Sequence, residues 1–275
     1  MKNYLLIIRP LNCLFIGFAV LVGGSLNTEV NNYVLLIIAM LVAMLVGAGG
    51  YVINDFFDIR IDSINKPHRI LPRGVFKPEF AFLYAIFLFL LGIAISIFTI
   101  NFWAIFIAIL NSLLLYHYAK SFKNTILWGN LIISYISGSA LLYGAVITNN
   151  ILNVLPLIIF TILYTFVREI IKDAEDEEAD SIVGVNTFAT AFGQKKAVVV
   201  SLILAILLAV SIYIYYIEDL LSKRLFETVL LVYVIPLIFI YIYLFAKITP
   251  ERLKRSSVLI KIHMLILLIT YIIVI

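Results

Sequence analysis

Charge, cysteine and histidine are scarce in this 275-residue chain: Asp, Glu, Lys and Arg make up 13% of it, Cys occurs once and His three times. A soluble globular chain carries about a quarter charged residues, so an ordinary core wrapped in a water-facing surface is excluded. The lone Cys13 lies in an apolar run, which excludes a disulfide or redox framework. A net charge of +4, spread thinly, excludes a nucleic-acid binder. What the chain has instead is apolar side chains, 64% of all residues, at a mean hydropathy of +1.12. That content also excludes a disordered chain, and it makes a bilayer the solvent.

Crossing the hydrocarbon layer takes about 20 apolar residues in a helix. Charge-poor runs of about that length predict nine spans: Leu11 to Leu26, Tyr33 to Ile53, Phe80 to Ile100, Phe102 to Leu115, Ile126 to Ile147, Ile151 to Ile171, Ala197 to Ile217, Thr228 to Ala246 and Val258 to Ile275. The runs lack period-2 alternation, so they read as helices and not as barrel strands. The expected fold class is therefore an all-α membrane protein, with residues 1–275 forming a single multi-pass domain. Lys2 and Arg9 precede the first span without a small-residue cleavage site after it, so that span is expected to be retained. Pro156 and Pro236 fall inside spans six and eight, where a kink can open space.

Alternate loops divide the basic residues unevenly. The N-terminal tail and the loops after spans two, four, six and eight hold 18 of the 20 Lys and Arg, leaving Lys223 and Arg224 on the other face. By the positive-inside rule the N-terminus and every even-numbered loop are expected in the cytoplasm of a cell-membrane protein.

Ten of the 16 carboxylates fall in two clusters, each where an even-numbered span meets that basic face. The first reads NDFFDIRID, Asn54 to Asp62; the second reads REIIKDAEDEEAD, Arg168 to Asp180. Asp55, Asp58 and Asp62 stand at i, i+3 and i+7, and Asp173, Asp176 and Asp180 repeat the spacing. At about 100° per residue each trio spans roughly 60° of helix surface, one acidic stripe per helix, with Glu169 extending the second. Like charges so placed repel, and more so near lipid, so a cation must compensate. Oxygen ligands without His or Cys suit Mg²⁺, which takes one or two carboxylates together with substrate phosphate oxygens. Arg60, Lys66, Arg69, Lys120, Lys123, Arg168 and Lys172 lie beside the stripes and can receive a diphosphate, though each can equally anchor its loop to lipid head groups. An isolated acidic helix end is ordinarily just solvated, but two with identical spacing on one membrane face argue for a shared task.

NDFFDIRID followed by NKPHRILPRG resembles the first aspartate-rich motif of the UbiA superfamily of intramembrane prenyltransferases. The loop YHYAKSFKN with WGN after it is similar to that family's Tyr and Lys segment, and the second acidic stripe stands where the family has its second motif. REIIKDAEDEEADSIVGVNTF looks most like the archaeal members that add a second geranylgeranyl chain to geranylgeranylglyceryl phosphate. The resemblance implies a bundle of two four-helix groups plus a ninth helix around a cavity open to lipid. It also implies Mg²⁺, two or more ions, held by Asn54, Asp55, Asp58, Asp62, Asp173, Asp176 and Asp180 against the diphosphate of an isoprenyl donor. A lipid-like glycerol phosphate hydroxyl would be the acceptor, with its proton passing to Asp62 or to the released diphosphate. Tyr116 and Tyr118, next to the cytoplasmic loop, are the aromatic candidates for substrate contact. His68, inside NKPHR, is within reach of phosphate, whereas His117 and His263 read as interfacial.

Three alternatives stay open at this point. An aromatic or quinone-precursor acceptor would use the same chemistry. A cation-coupled transporter would need carboxylates near mid-membrane, whereas these lie at span ends. A lipid-binding scaffold has no use for duplicate acidic stripes. Oligomeric state and donor chain length have no signature in the sequence.

Overall fold

The computed structural model describes residues 2–26 and 33–274; Ile275, the expected end of span nine, lies outside the described residues. All regular structure among them is helical. In order the helices are α1 (Lys2–Ile7), α2 (Pro10–Ser25), α3 (Tyr33–Phe57), α4 (Ile59–Asn65), α5 (Pro78–Ser96), α6 (Phe102–Lys120) and α7 (Trp128–Ile147). There follow α8 (Ile151–Val183), α9 (Phe188–Phe192), α10 (Gln194–Ile217), α11 (Lys223–Val229), α12 (Ile235–Ala246) and α13 (Pro250–Val274).

Each of the nine expected spans has a helix. Seven described stretches are long and apolar enough to cross a bilayer: α3, Pro78–Thr99, α6, α7, α8, α10 and Lys223–Ala246. Helix α2 is apolar but has 16 residues, and α13 carries Lys254, Arg255 and Lys261 in its first half. The large apolar side chains that stay exposed, such as Leu83, Phe87 and Leu90 on α5 or Ile203, Ile206 and Leu207 on α10, need lipid around them. The chain is an integral membrane protein.

The residues group into two compact units, 1–123 with 139–151 and 124–138 with 152–275. In the first, α3 packs on α2, α5 and α6. The C-terminal half of α7 meets α2 backbone to backbone: a Cβ at Gly23 would strike the Leu141 carbonyl, and one at Gly144 the Val20 carbonyl. Only glycine permits that approach, the small-residue packing that membrane helices favour. Asn101 caps α6, accepting from the Ala104 N–H at 3.1 Å, and donates Nδ2 to the Val146 carbonyl at 3.2 Å.

In the second unit Tyr164 of α8 stacks on Phe160 at 5.5 Å between ring centroids and meets the edge of Tyr233. Its hydroxyl shares a hydrogen bond with His263 Nδ1 at 3.2 Å, so His263 is part of a packed aromatic cluster. Span eight contains a π-helical segment, Leu230–Val234, directly before Pro236, where the ring removes a backbone donor.

Candidate active site: two acidic helix ends

The first motif ends one helix and begins another. Helix α3 stops at Phe57, Asp58 sits at φ −87° and ψ 0°, and α4 resumes at Ile59. The expected single helix is thus interrupted at one residue, but the i to i−4 bonds continue, from Asp58 N–H to the Asn54 carbonyl at 2.9 Å and from Asp62 N–H to the Asp58 carbonyl at 2.7 Å. The stripe survives the break. Asp55 and Asp62, 7% and 3% exposed, both converge on the Arg69 guanidinium, whose Nη1 lies 3.3 Å from Asp55 Oδ1 and 2.5 Å from Asp62 Oδ2.

Carboxylates buried to that degree need counter-charges and hydrogen bonds. Each of the three has one. Arg9 donates Nη2 to Asp55 Oδ1 at 2.5 Å while its guanidinium lies over the Tyr51 ring, 5.1 Å from the centroid. Lys123, in the short turn after α6, is paired with Asp58, and Asn54 Nδ2 donates to the other Asp58 oxygen at 2.7 Å. Burial pushes the Lys123 ammonium down to about 8, against the opposing pull of the Asp55 charge.

The second motif lies on one long helix. Sequence hydropathy ends span six at Ile171, yet α8 runs on to Val183, because Glu, Ala and Lys keep forming helix after the apolar stretch stops. Glu169, Asp173, Asp176 and Asp180 therefore share one face of α8. Glu169 is buried and paired with Arg168. Asn130, 8% exposed near the start of α7, donates Nδ2 to Asp173 Oδ2 at 2.8 Å.

Of the predicted site residues, the structure thus gathers Asn54, Asp55, Asp58, Asp62, Arg69 and Lys123 in one cluster and aligns Asp173, Asp176 and Asp180 on a second helix. Arg60, Lys66, Lys120 and Lys172 are exposed. Lys120 lies 5.8 Å over the Tyr116 ring, which in turn meets the edge of Phe57 in the first motif at 5.9 Å. Tyr118 is half-buried two residues before the end of α6. Two residues that sequence reasoning did not assign to the candidate site contact it, Arg9 through Asp55 and Asn130 through Asp173. Arg9 had one local sign, the Pro10 that follows and marks a helix start.

Among the described residues no three His, Cys, Asp or Glu side chains are close enough together to hold an ion as they stand. The donor chemistry nonetheless fits Mg²⁺: every ligating atom offered is a carboxylate or amide oxygen, and Asp55 and Asp62 already share one positive centre.

The chain has relatives among known proteins. The profile of the UbiA prenyltransferase family matches residues 12–267. A digeranylgeranylglyceryl phosphate synthase of Methanopyrus kandleri is 37% identical over 222 residues, 81% of each chain. The enzyme of the same name from Methanosarcina mazei is 38% identical over 238 residues, 81% of this chain and 82% of that one. A solved digeranylgeranylglyceryl phosphate synthase superposes with a TM-score of 0.84 at 34% identity, covering 99% of this chain and 97% of that one. A UbiA homolog from Archaeoglobus fulgidus, solved with DMAPP and Mg²⁺, shares the fold with a TM-score of 0.72 at 15% identity over 97% of this chain and 99% of that one. A match that runs through nearly all the spans and both acidic motifs leaves one assignment: the chain belongs to the UbiA prenyltransferase family.

Proposed function

We propose that this prenyltransferase moves a geranylgeranyl group from geranylgeranyl diphosphate to the free hydroxyl of geranylgeranylglyceryl phosphate, forming the second ether bond of archaeal membrane lipids. The observation that carries the chemistry is the first motif, where buried carboxylates and basic side chains alternate within one hydrogen-bonded cluster. Such a set can take up both a divalent ion and a diphosphate. The choice of acceptor rests on relatives at 37% and 38% identity that carry the synthase name.

Asn54, Asp55, Asp58, Asp62, Asp173, Asp176 and Asp180 are the residues that would hold Mg²⁺. When bound, the metal supplies neutralisation of the diphosphate as it departs. Arg69 and Lys123, with Arg168, Lys172, Arg60, Lys66 and Lys120 around the motifs, attract the same anion. The allylic C–O bond breaks with its electron pair going to the diphosphate, and the carbon becomes cation-like. The glycerol hydroxyl oxygen then forms the new C–O bond, and its proton leaves to Asp62 or to the released diphosphate. Apolar side chains and Tyr116 and Tyr118 keep water away from the cation. The reading includes one catalytic domain over residues 1–275, with the N-terminus and both motifs on the cytoplasmic side.

A panel of acceptors with radiolabelled geranylgeranyl diphosphate tests the substrate assignment. Label is expected in a lipid phosphate diether and not in aromatic acids. Transfer to a 4-hydroxybenzoate-type acceptor, with none to the glycerol phosphate, would replace this acceptor by the aromatic one.

A further inference from the structure

The first motif is already electrically satisfied. Three carboxylates, Asp55, Asp58 and Asp62, face three cations, Arg9, Arg69 and Lys123, and Asp55 Oδ1 alone takes two of them at 2.5 and 3.3 Å. A divalent ion needs those same oxygens. Placing a charge of +2 into a buried cluster whose charges already balance costs Coulomb energy and strips the cations of their carboxylate partners. A diphosphate ester brings roughly three negative charges and many acceptor oxygens, so it receives the displaced guanidinium and ammonium groups as the carboxylates turn to the metal. The second motif differs: Asp173 accepts its hydrogen bond from the neutral Asn130 amide and not from a cation.

From this we infer that Arg9, with Arg69 and Lys123, acts as a charge lock on the first motif, which admits its metal only together with the donor diphosphate. The inference rests on the metal–diphosphate reading above and adds a condition to it: the first motif loads its metal with the donor and not before it. Arg9 suits the role. It sits between α1 and α2 in the left-handed region, φ 53° and ψ 66°, which a non-glycine residue seldom adopts without a compensating contact. The compensating contacts are the Asp55 ion pair and the Tyr51 ring, and the side chain is still 30% exposed and able to leave for an incoming anion.

The test uses Mn²⁺, detected by electron paramagnetic resonance, bound to the full chain in lipid nanodiscs. Asp173→Asn, Asp176→Asn and Asp180→Asn are combined as the parent so that only the first motif reports. Mn²⁺ affinity is measured alone and with the unreactive thiolodiphosphate analogue of the donor. The parent is expected to bind Mn²⁺ weakly alone and about tenfold or more tightly with the analogue, the scale set by one unit charge a few Å from the ion. Adding Arg9→Gln or Lys123→Gln is expected to raise analogue-free Mn²⁺ affinity while weakening analogue binding, two changes of opposite sign. A merely structural role lowers both. Equal parent affinity with and without analogue would overturn the lock, and so would analogue-free affinity that fails to rise in both variants. If Asp55→Asn with Asp58→Asn leaves analogue-dependent Mn²⁺ binding intact, the metal reading of the motif fails, which is distinct from failure of the lock.

Discussion

At the scale of single residues, the acidic spacing was legible because it obeys helical periodicity, which any sequence displays. Arg9 and Asn130 were not, since their carboxylate partners lie 46 and 43 residues away and tertiary pairing leaves no local trace. The same limit applies to Lys120, the last residue of α6, and Lys123, three positions further on. The first is exposed over a tyrosine ring, whereas the second is drawn onto Asp58. Burial gives Lys123 a distinctive titration, with its ammonium pushed down to about 8 in the donor-free protein. The group is positive below that pH and neutral above it, so attraction for the anionic donor falls as pH rises. Since kcat/KM reports ionisations of the free enzyme, kcat/KM for geranylgeranyl diphosphate is expected to decline above about pH 8. Lys123→Arg, which keeps its charge there, moves the decline upward. Superimposable pH profiles for the two proteins would remove Lys123 from donor binding.

At the scale of elements, hydropathy located a helix for each expected span but not where each helix stops, because the two properties have different causes. Lipid selects apolar side chains; helix continues wherever propensity allows. Hence α8 runs 12 residues past the expected end of its span, carrying the second motif, while α3 breaks at Asp58 within the first. The π segment in span eight had only Pro236 as its sign. Helix contacts were also hidden. Gly23 and Gly144 are ordinary members of apolar runs until the structure shows each backbone against a carbonyl of the other helix. Gly144→Val puts a Cβ where the Val20 carbonyl stands and adds two methyl groups to it, and overpacking of this kind costs about 1–3 kcal/mol. The thermal unfolding midpoint in detergent is expected to fall by several degrees; an unchanged midpoint would show that α2 and α7 separate freely.

At the scale of the whole molecule, the family and fold class were readable because two rare motifs and a long hydropathy pattern recur together. The basic-residue bias further predicts an orientation. With Cys13 replaced by Ser, a cysteine at Lys195 is expected to react with an impermeant maleimide from the cytoplasmic side, and one at Arg224 from the opposite side. Labelling of both from one side would reverse or refute that topology. The central claim is that the two acidic helix ends bind divalent ions that grip the donor. The most direct measurement is geranylgeranyl transfer to geranylgeranylglyceryl phosphate by the purified protein, with and without EDTA, alongside Asp58→Ala and Asp176→Ala. The account predicts that chelation abolishes transfer, that added Mg²⁺ restores it, and that each variant loses about 10²-fold or more, the scale of removing a preorganised electrostatic contact. Undiminished transfer in EDTA, or in both variants, would contradict it.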